Sequence, residues 1–388
     1  MKKLLWVGDA AVDTGFARAT HYTLEGLRKV FDVTVLGINY LGDPHDYPYP
    51  IYPAWPWTDL FGTKRLPDIL RRVRPQVVVF QNDPWNIPAY TVTVENTFDV
   101  PKPVLIGAIA IDGKNCKGAA MNGLDHAIFW TEFARYEAVK GGYQKSSDVV
   151  PLGVDLNIYA PGDRTEARKA LGLPEEMHRA FIVGNVNRNQ PRKRLDLTMR
   201  YFAEWVKDFK RHDAVLYLHV APTGDLGYDC DQLTAYYGLQ GKVVLAEPEI
   251  RRGLTEIALA TTYRAFDVQV TTTQGEGWGL PTIEGMACGI PQIVPDWAAL
   301  GEWPGDAVVR VPCEEICSLN KLNVFGGTPD KEFFINALES LYRHPETRLN
   351  YGVEGRRKAM EPQFRWEKIA EEFTGSVIAA VRRAEDGA

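Results

Sequence analysis

The sequence lacks any hydrophobic run long enough to cross a membrane. No apolar stretch among its 388 residues approaches the roughly 18 residues that a membrane-spanning helix needs. The apolar residues near the N-terminus soon meet Asp9, so they predict a buried first strand rather than a signal peptide. We therefore expect a cytoplasmic protein without an integral membrane segment.

Cysteine is scarce and the net charge is small. Five cysteines stand far apart in apolar or loop contexts, which favours reduced thiols over a disulfide framework or a zinc site. The net charge of −6 argues weakly against a protein whose main role is to hold nucleic acid. Low-complexity segments and short repeats are also missing. What remains is the composition of a globular protein, at a length that favours two domains.

What the sequence does contain is an alternation of strand and helix signals in two series. Residues 4–8, 15–30 and 33–36 predict a strand, a helix and a second strand. A second series begins with the apolar run at 180–186 and continues with an amphipathic helix that starts near Leu195. This alternation indicates parallel sheets covered by helices.

A proline- and glycine-containing stretch at 149–162 separates the two series. We therefore predict an α/β protein of two doubly wound, Rossmann-like domains, residues 1–155 and residues 156–363. One further amphipathic helix lies within 364–388, and its residues alone do not assign it to either domain.

A segment rich in proline and aromatic residues, 47–57, interrupts the first series. Its prolines exclude a central strand. The segment either covers one edge of the sheet or presents exposed aromatic rings to a sugar or base, and both interpretations stay open.

The stretch 274–289 carries the strongest candidate binding motif. Three glycines in six residues let backbone amides approach a ligand, and Pro281 fits the first turn of a short helix. The N-terminus of that helix is a suitable site for phosphate. Glu276 in the loop and Glu284 in the helix would then contact different parts of one ligand. The alternative is a tight strand-to-helix turn with surface glutamates.

A basic loop, 184–194, joins the first strand of the second series to its helix. Arg188 and Lys193 within it could neutralise a diphosphate, since arginine binds phosphate through a planar fork and lysine supplies a mobile point charge. The alternative is a solvated basic turn. Phosphate-binding loops of the P-loop type are excluded, because the Gly-Lys-Ser/Thr ending is missing from 274–289.

Other polar residues also follow predicted strands. Gly15 opens a helix after the first strand, and Asp112 follows the strand at 104–111, where either a ligand contact or a turn is consistent with the pattern. For His219 we expect a core histidine with satisfied hydrogen bonds rather than a contact to the ligand. Asp229 and Asp231 suit helix capping better than metal binding.

These motifs resemble those of the retaining GT-B glycosyltransferases in the large family known as glycosyl transferases group 1. Residues 276–291 match its motif of two glutamates seven residues apart, with Trp278 in place of phenylalanine. Arg188 and Lys193 match its basic pair, and 151–155 match its Pro-x-Gly-Val-Asp linker. The resemblance implies two Rossmann-like domains facing across a cleft, with a C-terminal helix that crosses back to the first domain.

The resemblance also implies a role for each matching residue. Glu276 would bind hydroxyls of the transferred sugar, Glu284 would bind the ribose, and Asp112 stands where many members have a histidine. The implied catalytic residues are therefore Arg188, Lys193, Glu276 and Asp112. The implied donor-binding residues are Gly15, Phe16, Arg188, Lys193, Glu276, Gly277, Trp278, Gly279, Leu280 and Glu284.

The function that the resemblance implies is transfer of a hexose from a UDP- or GDP-linked donor to an acceptor hydroxyl, without a metal or other cofactor. Neither glutamate would be a nucleophile, because the leaving phosphate takes the acceptor's proton on the same face of the sugar. Alternatives are a nucleotide-sugar binding protein and an epimerase of the same fold. The acceptor stays open: a glycan, small molecule, protein, lipid or modified DNA base. Basic clusters at 71–74 and 192–194 keep DNA among these candidates, although the net charge of the chain is negative.

Overall fold

The computed structural model describes residues 1–12, 14–54, 59–97, 99–220, 227–246, 254–318 and 322–387. The chain divides into two compact units. Unit 1 comprises Met1–Ile111, Asn115–Leu152 and Trp366–Ala388, and unit 2 comprises Asp112–Lys114 and Gly153–Arg365. The sequence placed the boundaries after residues 155 and 363.

Unit 1 is built around a parallel sheet in the strand order β3-β2-β1-β4-β5-β6-β7. The short strand β3 lies at one edge, so the aromatic segment contributes an edge strand. Residues 55–58 of that segment lie outside the described residues. The elements are β1 (Lys2–Asp9), α1 (Gly15–Leu27), β2 (Phe31–Ile38), β3 (Ile51–Pro53), α2 (Leu66–Val73), β4 (Val77–Asn82), α3 (Ile87–Glu95), β5 (Val104–Ile109), β6 (His126–Phe129), α4 (Glu132–Lys140) and β7 (Ser146–Val149).

Unit 2 contains a second parallel sheet, in the order β10-β9-β8-β11-β12-β13, and an antiparallel hairpin of β14 and β15. Its elements are α5 (Arg164–Ala170), β8 (Phe181–Val186), α6 (Leu195–Phe209), β9 (Ala214–His219), α7 (Cys230–Tyr236), β10 (Val243–Leu245), α8 (Glu256–Arg264), β11 (Val268–Val270), α9 (Leu280–Ala287), β12 (Gln292–Pro295), α10 (Ala298–Glu302), β13 (Val309–Val311), β14 (Cys313–Cys317), β15 (Phe325–Pro329), α11 (Lys331–Arg343) and α12 (Pro345–Ala359).

The central strands of both sheets are almost entirely buried, because helices cover both faces of a parallel sheet. This is why runs such as 77–80 and 214–218 are continuously apolar rather than alternating. The five cysteines, all within the described residues, form no disulfide bond, as the sequence predicted.

The last helix, α13 (Trp366–Asp386), belongs to unit 1, as the resemblance implied. It packs along α1, where Trp366 stacks on Tyr22 with ring centroids 4.7 Å apart, and it also reaches β1, where the ring of Phe373 lies 5.8 Å from that of Trp6. A buried polar contact joins it to the sheet, since His126 Nε2 lies 3.0 Å from the hydroxyl of Ser376.

Glycine at position 26 is what lets α1 approach α13 closely. A methyl group added there would lie 2.5 Å from the carbonyl oxygen of Ala370. We expect Gly26→Ala to lower the free energy of unfolding by about 1–3 kcal/mol, because the two helices must move apart. Gly375→Ala is the matched control, because a methyl group there meets nothing within 4 Å and should stabilise the helix by about 1 kcal/mol. Urea unfolding of both variants tests this pair; equal effects would contradict it.

Candidate functional site

The strand order of unit 2 places a crevice between β8 and β11. Chain connections run from β8 towards β9 and β10 on one side, and from β11 towards β12 and β13 on the other. Ligands of open α/β sheets bind at such a switch point, outside the carboxyl ends of the strands. The side-chain amide of Asn187, after β8, lies 3.3 Å from Thr271 Oγ1, after β11. The two loops that the sequence singled out leave these same two strands.

Backbone and side-chain hydrogen bonds hold these two loops together. Gln274 donates its amide to the carbonyl oxygen of Arg192 at 2.7 Å, and the hydroxyl of Thr272 donates to the carbonyl oxygen of Arg194 at 2.7 Å. Gly279 has φ of 93°, a conformation that glycine adopts at little cost, and it stands directly before α9. The prediction that Pro281 lies in the first turn of this helix is confirmed.

A buried ion pair forms where the two loops meet. The ammonium of Lys193 pairs with Glu276 Oε1. Arg192 donates to the carbonyl oxygen of Gly275 at 2.7 Å and lies 3.4 Å from Glu276 Oε2. Glu276 and Lys193, which are 83 residues apart in the sequence, are therefore in direct contact, as the two motifs led us to expect. Arg192, which belongs to neither motif, also contacts Glu276.

Burial shapes the ionisation of this pair. Burial and the neighbouring charge of Arg192 lower the pKa of Lys193 to about 8, although Glu276 opposes this change. For Glu276, burial favours the neutral acid, but the charges of Lys193 and Arg192 outweigh it, so the pKa stays below its ordinary value. Near neutral pH the site therefore contains a carboxylate between two cations.

The resemblance implies that Lys193 neutralises a diphosphate, so we expect the affinity for UDP to fall as the pH rises through about 8, where the ammonium loses its charge. Above that pKa, each further pH unit should weaken binding about tenfold if the cation is essential. Calorimetric titrations with UDP on both sides of this pH measure the effect. Lys193→Arg is the control, because a guanidinium stays protonated there and the pH dependence should disappear. Equal affinity across the range would contradict the assignment.

The stability of the fold should change in the opposite direction. The folded-state pKa of Lys193, about 8, lies below its ordinary value of 10.5, so the unfolded chain binds this proton more tightly. The contribution of Lys193 to stability should therefore rise between these two pH values, while ligand affinity falls.

Asp112 lies in unit 2, whereas the sequence placed it in the first domain. The cause is the β14–β15 hairpin, which the sequence analysis did not predict. Lys114 and Phe325 exchange two backbone hydrogen bonds of 2.9 and 3.1 Å, which fix residues 112–114 beside unit 2. As a result Asp112 Oδ2 lies 3.5 Å from Nε of Arg192.

Arg192 is the site residue that sequence reasoning missed. It contacts Asp112, Gly275 and Glu276, whereas Arg188 is exposed and Arg194 pairs with Asp196 at 2.9 Å. A signal was present, since Arg192 directly precedes the motif lysine in a loop already identified as basic. The sequence could not show which residues Arg192 contacts, because the direction of its side chain depends on the short 3₁₀ turn that ends at Lys193.

The remaining motif residues lie in and around α9. Glu284 is buried within this helix and accepts a hydrogen bond of 2.6 Å from the hydroxyl of Tyr263. Trp278 stacks on Trp303, with ring centroids 4.9 Å apart, and its carbonyl oxygen accepts a 2.8 Å hydrogen bond from the Trp303 indole. Gly277, Gly279 and Leu280 are also buried.

His219 lies at the carboxyl end of β9 and is buried, as predicted. The expectation that its hydrogen bonds are satisfied is wrong: among the described residues its Nδ1 has no partner. Burial lowers its pKa to about 4, so the ring is neutral near neutral pH. Asp229 caps α7 by accepting from the amide of Gln232 at 2.9 Å, which confirms its predicted capping role.

Gly15 and Phe16 begin α1 in unit 1, immediately after the loop that follows β1. Thr14 caps this helix, with its hydroxyl accepting from the amide of Ala17 at 3.1 Å and donating to Asp9 at 2.8 Å. The ring of Phe16 packs edge-on against Trp130. Both residues therefore stand at the carboxyl edge of the unit 1 sheet, as the sequence predicted.

The described part of the chain contains neither a candidate membrane span nor a candidate metal cluster. No described helix is long and apolar enough to cross a membrane. No group of three or more described histidine, cysteine, aspartate or glutamate side chains is arranged to hold a metal ion.

Residues 178–318 match the family model described as Glycosyl transferases group 1. The D-inositol 3-phosphate glycosyltransferase of Geodermatophilus obscurus is 36% identical over 158 residues, which cover 39% of this chain and 33% of that protein. The Mycobacterium tuberculosis protein of the same name is 33% identical over 160 residues, 40% of this chain and 30% of its own. The chain thus spans about a third of the length of these relatives. Over the matched residues, the resemblance that the motifs indicated is confirmed.

Solved structures resemble the chain over nearly its whole length. Sucrose-phosphate synthase from Thermosynechococcus elongatus has a TM-score of 0.78 at 17% identity, covering 99% of this chain and 100% of that one. The HepE protein of Anabaena in complex with UDP-glucose has a TM-score of 0.73 at 15% identity, covering 98% and 100%. At such identities the similarity shows the fold alone, and it confirms the predicted GT-B fold.

Proposed function

We propose that this chain, whose residues 178–318 match the Glycosyl transferases group 1 family, is a retaining glycosyltransferase that uses a nucleoside-diphosphate sugar. The observation that carries the proposal is the buried carboxylate of Glu276 between Lys193 and Arg192 at the switch point of unit 2. Cations beside a carboxylate suit a ligand that joins a diphosphate to a polyhydroxylated sugar.

In the proposed reaction the bond between the sugar's anomeric carbon and the diphosphate oxygen breaks. The acceptor oxygen bonds to that carbon on the face that the leaving group vacates, and the acceptor's proton passes to the leaving phosphate oxygen. The products are a glycoside and a nucleoside diphosphate. Because negative charge develops on the departing phosphate, preorganised cations aimed at it supply the largest stabilisation.

Each side chain then has a distinct role. Lys193 and Arg188 neutralise the diphosphate, Glu276 accepts hydrogen bonds from sugar hydroxyls, and Glu284 accepts one from the ribose. Arg192 is a positioning residue, since its guanidinium lies within 3.5 Å of both Asp112 and Glu276 and holds the two carboxylates near each other. The amides from Gly277 to Leu280 would bind sugar or phosphate at the start of α9.

UDP-linked donors come first among the candidates, because the Anabaena HepE structure contains UDP-glucose. Purified protein incubated with a panel of UDP- and GDP-sugars tests the proposal. A true donor at 100 times its dissociation constant should stabilise the fold by about 2.7 kcal/mol and should be hydrolysed slowly without acceptor. Stabilisation without hydrolysis or transfer would instead support a nucleotide-sugar binding protein, and no response to any donor would overturn both.

A further inference from the structure

The sheet of unit 1 has its own switch point, between β1 and β4. The loop at 10–14 leaves β1, the loop at 83–86 leaves β4, and the loop at 39–50 leaves β2 beside them. By the rule that governs open α/β sheets, this carboxyl edge is the place where unit 1 would bind a ligand.

Large aromatic side chains are exposed along this edge. Tyr47, Phe61 and Trp85 are 40%, 42% and 41% exposed, and they come from the loops after β2, β3 and β4 respectively. Aromatic residues usually bury most of their surface, so three exposed rings at one sheet edge indicate a binding surface.

The ring of Tyr47 is held in place from below. It stacks on the imidazole of His21, with centroids 3.5 Å apart. His21 is fixed at both nitrogens, since Nε2 accepts from the amide of Ala11 at 3.3 Å and Nδ1 lies 2.7 Å from the hydroxyl of Tyr49. Tyr47 is therefore a preorganised platform rather than a loosely attached side chain.

The loops of Phe61 and Trp85 share one anchor. Tyr90 donates its hydroxyl to the carbonyl oxygen of Phe61 at 2.8 Å and accepts from the side-chain amide of Asn82 at 3.0 Å. The side-chain oxygen of Asn82 in turn accepts from Asn86 at 2.9 Å, one residue after Trp85. The two exposed rings thus project from loops that are tied to the same asparagine.

The charge of this edge is negative. Asp9 lies at the end of β1 and accepts from the side chains of Thr14 and Asn39, and Asp43 and Asp46 are exposed in the next loop. The loop sequences 10–14, 39–50 and 83–86 contain no lysine or arginine. The loop after β3, which carries Phe61, does contain Lys64 and Arg65, and Arg65 donates to the carbonyl oxygen of Pro53. A polyanion such as DNA needs several cations to bind, and the other three loops of this edge supply none.

The basic clusters that kept DNA among the candidates are largely compensated within their own units. Arg71 pairs with Asp68 at 3.3 Å and Asp99 at 2.8 Å. Arg72 lies over the ring of Tyr52. The cluster at 192–194 pairs with acidic residues of unit 2. Neither cluster therefore forms an open basic strip of the kind that follows a nucleic-acid backbone.

We propose that the acceptor is a carbohydrate without anionic groups, which packs a ring face on Tyr47 or Trp85 and donates hydroxyl hydrogen bonds to the carboxylates of this edge. The inference rests on the proposed glycosyltransferase function. Sugar rings present apolar C–H faces to aromatic rings and hydroxyl groups at their rims, so rigid aromatic side chains beside carboxylates match both parts of such a molecule.

The test compares Tyr47→Ala and Trp85→Ala with Tyr136→Ala, which removes another exposed ring, 63% exposed on α4 and away from the edge loops. The probes are the neutral disaccharides maltose, cellobiose and trehalose, and a short DNA duplex carrying hydroxymethylated bases. Intrinsic fluorescence or saturation-transfer NMR reports binding without any donor. We expect at least one disaccharide to bind, and each edge variant to weaken it about 3- to 10-fold, with Tyr136→Ala unchanged.

Donor hydrolysis without acceptor provides the second measurement. It should be equal in the wild type and the edge variants, because these residues contact only the acceptor. Binding of the duplex with a steep loss at high salt, with no disaccharide bound, would overturn the inference. So would disaccharide binding that both edge variants leave unchanged. A wild-type protein that binds a disaccharide but hydrolyses no nucleotide sugar would sink the proposed function and leave the carbohydrate surface standing.

Discussion

Glu276→Gln is expected to lower the rate of donor turnover, in both transfer and hydrolysis, by at least about 100-fold, or about 2.7 kcal/mol of transition-state stabilisation. The amide keeps the shape of the side chain but removes the charge that Lys193 and Arg192 surround. Sugar hydroxyls then lose a charged acceptor, and Lys193 loses its buried counter-ion. Initial rates with the donor identified by the panel measure the effect.

The fold must survive this change for the result to be informative. Leaving one buried partner unpaired can cost a few kcal/mol, so circular dichroism and urea unfolding should accompany the rates. Glu314→Gln is the matched control, because it makes the same substitution at an exposed residue of the β14–β15 hairpin. A folded Glu276→Gln protein that transfers sugar at the wild-type rate would refute the assigned role.

Neutralising Arg188 and Lys193 together, as Arg188→Gln with Lys193→Met, should weaken UDP binding by about 100-fold or more. Hydrogen bonds between charged groups contribute about 1.5–3 kcal/mol each, and both proposed contacts to the diphosphate are lost. Glu276 retains Arg192 as a neighbour, so its charge is not left alone. Isothermal titration calorimetry with UDP gives the affinity directly.

The comparison for this pair is Arg200→Gln, which removes one cation from the exposed face of α6. Arg200 pairs with Glu204 at 2.8 Å and is outside the two loops of the switch point. Its affinity for UDP should equal that of the wild type. If the double variant also binds UDP normally, the cations at 188 and 193 do not bind the diphosphate.

Local rules explain why so much of the architecture could be predicted from the sequence. Continuous apolar runs such as 77–80 predicted strands buried on both faces. Thr14 and Pro281 marked helix starts because a side-chain cap and a fixed φ act within a few residues. The sequence around Glu276 predicted a strand, a loop and a helix in that order. Because the loop after a strand of a parallel sheet lies at its carboxyl edge, the position of Glu276 could be predicted as well.

Contacts between distant segments explain what the sequence did not predict. The hairpin strand Cys313–Cys317 is mostly exposed and alternates weakly, so its pairing with β15 left no local pattern, and neither did the bridge between β15 and Lys114. The position of Asp112 depends on that pairing. Arg192 was missed for a similar reason, because its acidic neighbours come from two remote parts of the chain. The Nδ1 of His219, which has no hydrogen-bond partner in the described part of the chain, could likewise not be predicted, since burial of a histidine does not reveal its partners.

The placement of α13 in unit 1 has a consequence for synthesis on the ribosome. In the sequence, unit 2 lies almost wholly between two segments of unit 1, so it can complete its core while the segment Trp366–Ala388 is still unmade. The first segment of unit 1 emerges before unit 2 but lacks the helix that covers Trp6 and Tyr22 until α13 has been translated. We therefore expect unit 2 to complete its fold before unit 1, which is the reverse of the usual order, in which the N-terminal domain folds first. Nascent chains halted before Trp366 should hold a protease-resistant unit 2 and a protease-sensitive unit 1.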